Sequence, residues 1–115
     1  MTTPEGQVKV KINAILERYP VYVFKPVQFG MGKRGLDYHC MVEIGGLPLA
    51  FFIEAKEPGE ELTEIQNDLA TELRRKYKAN VFKIDGPYGL NLLDRWLSNV
   101  CKAENDTAAK SYHQY

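Results

Sequence analysis

Several features are scarce or missing in this chain of 115 residues, and each absence excludes a class of protein. There is no net charge, since 15 basic residues balance 15 acidic ones, so any nucleic acid would have to be held by a local basic patch. The two cysteines, Cys40 and Cys101, are far apart and match no metal-ligand spacing. They favour a reducing compartment, and we expect a cytoplasmic protein.

Long apolar runs are also missing, so no segment of the sequence is apolar over the length needed to span a bilayer. The beginning of the sequence, "MTTPEGQ", is too polar for a signal peptide. With 44% hydrophobic and 26% charged residues, the composition is ordinary for a soluble globular protein. We expect one domain over residues 1–100 and a flexible polar tail over residues 101–115, because the tail has little to bury.

Hydrophobic periodicity predicts an α/β domain with the element order α-β-β-β-α-β-α. We expect helices over residues 2–18, 63–78 and 90–100, and strands over 21–27, 36–44, 47–56 and 80–85. The apolar stripe of the second helix is Ile65, Leu69, Leu73 and Tyr77, and "GPYG" after the last strand is read as a turn. The strand–helix–strand unit near the end implies a right-handed crossover and a mixed β-sheet flanked by helices.

A hairpin is predicted around Gly45-Gly46, which has the composition of a two-residue turn. If Ile44 pairs with Leu47, one face of the hairpin receives only largely apolar pairs: Tyr38 with Ile53, Cys40 with Phe51, and Val42 with Leu49. On the other face the same register places Asp37 opposite Glu54. Like charges at directly opposed positions are destabilising, so this pair needs a shared proton or a cation.

Lys56 follows Glu54 by two residues, so strand alternation puts it on the same side of the sheet. Two acids and an amine at a strand end favour a hard divalent ion, with Mg²⁺ as the default. Such an ion can bind a phosphate oxygen and lower the pKa of a water molecule. The alternative is that Asp37 merely starts a strand and that Glu54 and Lys56 form a solvated pair.

Together, "GLDY", the apolar strand ending in "IEAK" and a following helix with Gln66 resemble the PD-(D/E)xK nuclease superfamily. Within it, the chain is most similar to the VRR-NUC (virus-type replication-repair nuclease) domain in its small stand-alone, phage-type form. The similarity runs from about Pro4 to Ile84 and implies a restriction-endonuclease-like core. One departure is Leu36, where the family often has proline before the aspartate.

The resemblance implies a role for each residue of this motif. Asp37 and Glu54 would ligate Mg²⁺, for which Mn²⁺ is expected to substitute, aided by the backbone carbonyl of Ala55. Lys56 would position or activate the attacking water. Glu5 would hold a metal-bound water or a second ion at the edge of the site.

Gln66, early in the second helix, would line the site according to the same resemblance. Two of these residues also have purely structural interpretations. Glu5 has capping-box spacing with Thr2, and Gln66 has it with Thr63. His39 lies on the side of Asp37 and is either a group behind the site or simply packed.

Basic residues that could contact DNA phosphates occur at two places: Lys33 and Arg34 in the glycine-rich loop, and Arg74, Arg75 and Lys76 at the end of the second helix. A plain surface loop is an equally good interpretation of the first group. Basic residues in a last helical turn are also expected from the helix dipole.

By resemblance, the function is a Mg²⁺-dependent, structure-selective DNA endonuclease, acting in a bacterial host cell if it is phage-encoded. Stand-alone members resemble Holliday junction resolvases, and two symmetrical nicks require a homodimer with one site per subunit. Two alternatives stay open: a nuclease of the same chemistry on flap, single-stranded or duplex DNA, and a non-catalytic DNA-binding module with a nuclease fold.

Overall fold

The computed structural model describes residues 3–26 and 35–112, and for residues 102–112 only the course of the backbone. Its elements are α1 (Pro4–Leu16), β1 (Tyr22–Phe24), β2 (Tyr38–Ile44), β3 (Leu47–Ala55), α2 (Glu64–Lys76), β4 (Asn80–Ile84) and α3 (Pro87–Tyr112). The predicted α/β class and element order are therefore confirmed. Lys33, Arg34 and Thr2, which the sequence analysis singled out, lie outside the described residues.

One mixed sheet of four strands, in the order β1-β2-β3-β4, forms the centre of the fold. Strands β1, β2 and β3 are antiparallel neighbours, whereas β4 lies parallel to β3 after the crossover through α2. The backbone N–H of Lys56 donates to the carbonyl of Ile84 at 2.9 Å, which carries the β3–β4 pairing one residue beyond the strands. The mixed sheet predicted from the crossover is confirmed.

The β2–β3 hairpin has the register predicted from its apolar pattern. Ile44 pairs with Leu47 and Tyr38 with Ile53, without a slip along the strands. Gly45 and Gly46 both have positive φ, 59° and 85°, which side-chain-bearing residues rarely adopt and which this turn type requires. The glycine pair therefore sets which residues meet at the open end of the hairpin.

The core lies on one face of the sheet, between the strands and helices α1 and α3. Its fully buried large side chains are Tyr38, Phe51, Ile12, Leu36, Ile53, Ile84, Leu93 and Leu97. The Trp96 ring contacts the rings of Phe51 and Phe82 edge-on, with centroids 5.0 and 5.4 Å apart. Helix α3 approaches β4 closely at Gly89, where a Cβ atom would lie 3.2 Å from Ile84 Cα.

Helix α2 packs on the opposite face, against β4, and its predicted apolar stripe is only partly buried. Of the predicted stripe, Ile65 is 58% exposed and Tyr77 is 59% exposed, so that prediction is wrong for both. Leu69 and Leu73, the other two residues of that stripe, are half-buried. Ala70 is fully buried, and Arg74 donates to the Val81 carbonyl at 2.8 Å. Apolar periodicity did not predict the burial of Ala70, because alanine has little apolar surface.

Helix α3 begins and ends outside its predicted limits. It starts at Pro87, inside the predicted "GPYG" turn, because proline suits the first helical position, where no N–H bond is needed. It continues to Tyr112, so the expected helix end near residue 100 is wrong; alanine, lysine and glutamate in that segment are good helix formers. Flexibility of this tail stays a prediction. Among the described residues, no helix is long and apolar enough to cross a membrane.

Candidate active site

Asp37 and Glu54 meet at the open end of the hairpin, as the register predicted. Their contact is reciprocal: the backbone N–H of Asp37 donates to Glu54 Oε1 at 3.0 Å, and the backbone N–H of Ala55 donates to Asp37 Oδ2 at 2.9 Å. Each carboxylate is thus oriented by the main chain of the segment that carries the other. The two carboxyl groups are thereby held side by side.

Glu54 is almost fully buried, with 5% of its surface exposed. Burial and then the negative charge of Asp37 raise its pKa from 4.5 to about 7, although the hydrogen bond from Asp37 and the charge of Lys56 oppose the shift. The carboxyl group is therefore partly protonated near neutral pH in the metal-free chain. In the metal-free chain, a proton on Glu54 therefore reduces the repulsion between the two carboxyl groups.

Gln66 holds the second oxygen of Glu54. Its Nε2 donates to Glu54 Oε2 at 2.9 Å, while its Oε1 accepts from the backbone N–H of Thr63 at 3.0 Å. Thr63 Oγ1 in turn accepts from the Gln66 backbone N–H, which completes the predicted capping box. The structural and the site-lining interpretations of Gln66 therefore hold together, because one amide group serves both.

Lys56 follows β3 and is 6% exposed, so its side chain is enclosed by the fold beside the acidic pair. Its charge acts on Glu54, where it favours the ionised carboxylate. Ala55, between the two, is fully buried. The motif residues Asp37, Glu54, Ala55 and Lys56 are therefore gathered at one end of the sheet.

Lys9, which the sequence analysis missed, supplies a positive charge on the other side of Asp37. Its Nζ lies 3.6 Å from Asp37 Oδ1 and 3.3 Å from Glu5 Oε2. Glu5 therefore reaches the site through this lysine. One signal could have revealed Lys9: it follows Glu5 by four residues, and such pairs share one face of a helix.

The cap at the start of α1 differs from the predicted one. The capping residue is Thr3, whose Oγ1 accepts from the backbone N–H of Gly6 at 3.0 Å. The capping-box position is thus occupied by Gly6, and the alternative that Glu5 completes a capping box with Thr2 is wrong. Glu5 is left with its ion pair to Lys9.

The basic residues at the end of α2 lie away from the acidic pair. Gln66 is in the first turn of α2 and Arg75 in the last, which puts them about 14 Å apart along the helix. Arg74 is engaged with the Val81 carbonyl, while Arg75 and Lys76 are exposed. These residues are not brought into the site, and their contact with DNA stays a prediction.

His39 is packed, in agreement with the simpler of its two interpretations. Its ring contacts Phe52 and Phe24 edge-on, with centroid separations of 5.1 and 6.0 Å. Burial lowers the pKa of His39, which favours the neutral ring. Both cysteines are buried and neither forms a disulfide, and burial raises the pKa of Cys40 to about 12, so this thiol stays protonated at neutral pH.

The residues present suit a small divalent cation. Carboxylate and carbonyl oxygens are the ligands that Mg²⁺ prefers, with water completing the shell. Every oxygen of Asp37 and Glu54 that accepts a hydrogen bond retains a second lone pair. Within the described residues, no group of three or more His, Cys, Asp or Glu side chains is spaced to hold a metal ion. The fit therefore depends on two carboxylates, the Ala55 carbonyl and water.

Compared with known proteins, the chain matches no family model, and no curated protein matches it at a significant level.

Proposed function

We propose that the protein is a Mg²⁺-dependent DNA endonuclease that hydrolyses phosphodiester bonds. The observation that carries the proposal is the reciprocal contact of Asp37 with Glu54 beside the enclosed Lys56. An acid pair of this kind is costly for a fold unless a cation or a proton offsets it. A nuclease with a motif of two acids and a lysine uses such a pair to bind its metal ion.

Each side chain of the site has a distinct task in this proposal. Asp37 and Glu54 bind the ion with the help of the Ala55 carbonyl, and Gln66 keeps Glu54 oriented. The bound ion supplies a Lewis acid for a phosphate oxygen and lowers the pKa of a water molecule. Lys56 orients that water and offsets the negative charge that develops on the phosphate.

The substrate in this proposal is branched DNA, and the nuclease is a homodimeric Holliday junction resolvase. This choice rests on the resemblance to stand-alone VRR-NUC domains. A single small chain offers little surface to hold a four-way junction, whereas a two-fold dimer pairs two sites for symmetrical nicks. No described element resembles a base-reading helix, so we expect recognition of DNA shape and backbone.

One face of the sheet suits the contact between the two copies. Tyr22, Phe24 and Met41 lie on the face that α2 leaves open, and they are 64%, 50% and 42% exposed. Large apolar side chains grouped on one exposed face are typical of protein interfaces. In a two-fold dimer the same surface of each copy forms the contact, and two apolar patches can pack against each other.

The competing class is a non-catalytic DNA-binding module with the same fold. The enclosed Lys56 beside two opposed acids speaks against it, because a module without catalysis needs none of these charges. The other alternative, a nuclease of the same chemistry on flap, single-stranded or duplex DNA, shares the site and differs only in substrate.

The test is cleavage of a labelled four-way junction, with matched flap, single-stranded and duplex DNA, in Mg²⁺ or in EDTA. Lys56→Ala is the inactive comparison. Paired symmetrical nicks in the junction alone, lost in EDTA and in the variant, are the expected result. Cutting of the other DNAs instead would keep the chemistry and reject the substrate. No metal-dependent cutting of any DNA would favour the binding module.

A further inference from the structure

Lys9 is placed between two carboxylates that were expected to face metal ions or their waters. Its Nζ is 3.3 Å from Glu5 Oε2 and 3.6 Å from Asp37 Oδ1. The three side chains keep between 18% and 40% of their surface exposed, so the cluster opens to solvent. A single ammonium group thus occupies the space that Glu5 and Asp37 share.

The backbone at Lys9 is held in place by the residue next to Asp37. The Tyr38 hydroxyl donates to Asn13 Oδ1 at 3.0 Å and contacts the Lys9 carbonyl oxygen at 3.4 Å. Beside Lys9 on α1, Val8 and Ile12 are buried in the core. The short reach from Lys9 to Asp37 is therefore built into the packing of α1 against β2.

The charges of the site are divided between two lysines. Lys56 acts on Glu54, whereas Lys9 pairs with Asp37 and Glu5. Burial alone would lower the pKa of Lys9, but the negative charges of Asp37 and Glu5 outweigh it and raise the pKa. A lysine side chain is protonated at neutral pH, so a positive charge lies between Glu5 and Asp37.

We infer that Lys9 takes the place of a second divalent ion, so that this site works with a single Mg²⁺ per chain. The inference rests on the proposed function, because it presumes that Asp37 and Glu54 bind the first ion. A second divalent ion between Glu5 and Asp37 would meet the ammonium group at contact distance, and like charges repel most strongly there. Glu5 then serves to position Lys9 and does not hold an ion.

The experiment counts Mn²⁺ ions bound per chain by titration calorimetry and by the electron paramagnetic resonance signal of free Mn²⁺. We expect one ion in the wild-type protein and in Lys9→Arg, which keeps the charge. Lys9→Gln removes the charge and frees both carboxylates, so we expect two ions. The double variant Lys9→Gln/Glu5→Gln removes the new ligand and should return to one.

Lys11→Gln is the matched control, because Lys11 lies exposed on the same helix and its loss changes the net charge equally. It should bind one ion. Thermal unfolding confirms that each variant is folded before ions are counted. Two ions in the wild-type protein, or one ion in folded Lys9→Gln, would overturn the role of Lys9. No Mn²⁺ bound by the wild-type protein would instead reject the metal site, and with it the proposed nuclease.

Discussion

Gln66 Nε2 donates a 2.9 Å hydrogen bond to Glu54 Oε2 while the same amide caps helix α2 through Thr63. The amide oxygen of Gln66 accepts the capping hydrogen bond, so its amide nitrogen faces the Glu54 carboxylate. The orientation of Glu54 therefore depends on the N-terminus of α2. Stability and site geometry are thus coupled through one side chain, and substitutions can separate the two effects.

Gln66→Ala should lose both contacts. We expect the free energy of unfolding to fall by about 1–2 kcal/mol, from a lost cap and a lost hydrogen bond. Gln66→Glu can still accept from Thr63 but sets a negative charge against Glu54, so it should keep the cap and impair the site. Urea denaturation and cleavage rates, measured on both variants, check this. A Gln66→Ala variant as stable as the wild type would show that the cap contributes nothing.

Glu54 should make the stability of the metal-free protein fall as pH rises. Its pKa is about 7 in the folded chain against an ordinary 4.5, so between these values the folded chain holds a proton that the unfolded chain has released. The stabilisation that comes from this protonation is therefore fully present below about pH 4.5 and is lost as the pH rises through about 7.

The measurement is urea denaturation in EDTA across that range for the wild type and for Glu54→Gln. His39 has a lowered pKa and acts in the opposite direction, losing stability as pH falls, so the two proteins are compared at each pH. We expect the wild type to lose its advantage over the variant as pH rises. A constant difference would contradict the raised pKa.

Asp37→Asn should abolish divalent-ion binding without unfolding the chain. The asparagine oxygen can still accept from the Ala55 N–H, but the charge beside Lys9 and Glu54 is gone. We expect cleavage to fall at least about a hundredfold. Calorimetric Mg²⁺ binding is the direct readout, and Glu43→Gln, an exposed acid on β2, is the control. Metal binding equal to that of the parent would refute the site.

Charged substitutions on the open sheet face should separate the proposed dimer. We expect Tyr22→Glu/Met41→Glu to sediment as one chain where the wild type sediments as two, and to lose paired nicking. Leu47→Glu is the control, because Leu47 is 70% exposed but belongs to the opposite face. Analytical ultracentrifugation gives the mass. A wild-type monomer at micromolar concentration would remove the dimer from the proposal.

Tyr38→Phe should loosen the hold of β2 on α1. It removes the hydrogen bond to Asn13 Oδ1 and leaves that oxygen without its donor. We expect a loss of about 1–2 kcal/mol in the free energy of unfolding. Chemical denaturation at one pH measures it, well below the raised pKa of about 12 that burial gives the Tyr38 hydroxyl. An unchanged stability would mean that water replaces the tyrosine.

Local chemistry explains why the hairpin and the acid pair were predictable. Gly45-Gly46 allows one turn type, and the apolar alternation of β2 and β3 allows one register. That register alone brings Asp37 to Glu54. The Gln66 capping box was likewise readable, because both of its partners lie within one helical turn.

The packing of α2 was not predictable in the same way. Apolar periodicity favoured Ile65 and Tyr77, which are exposed, and did not single out Ala70, which is the fully buried residue of the helix. Lys9 was missed for a related reason. Its partner Asp37 is distant in the chain, and only the docking of α1 on β2 brings the two together.

The sequence by itself determined the order of the elements, the hairpin register and the meeting of two acids, because these follow from alternation and turn chemistry between near neighbours in the chain. Only the tertiary structure decided how the charges of those acids are offset. Burial gives Glu54 its proton, and the docking of α1 brings Lys9 to Asp37. Both effects depend on distances between separate elements, which no local pattern encodes.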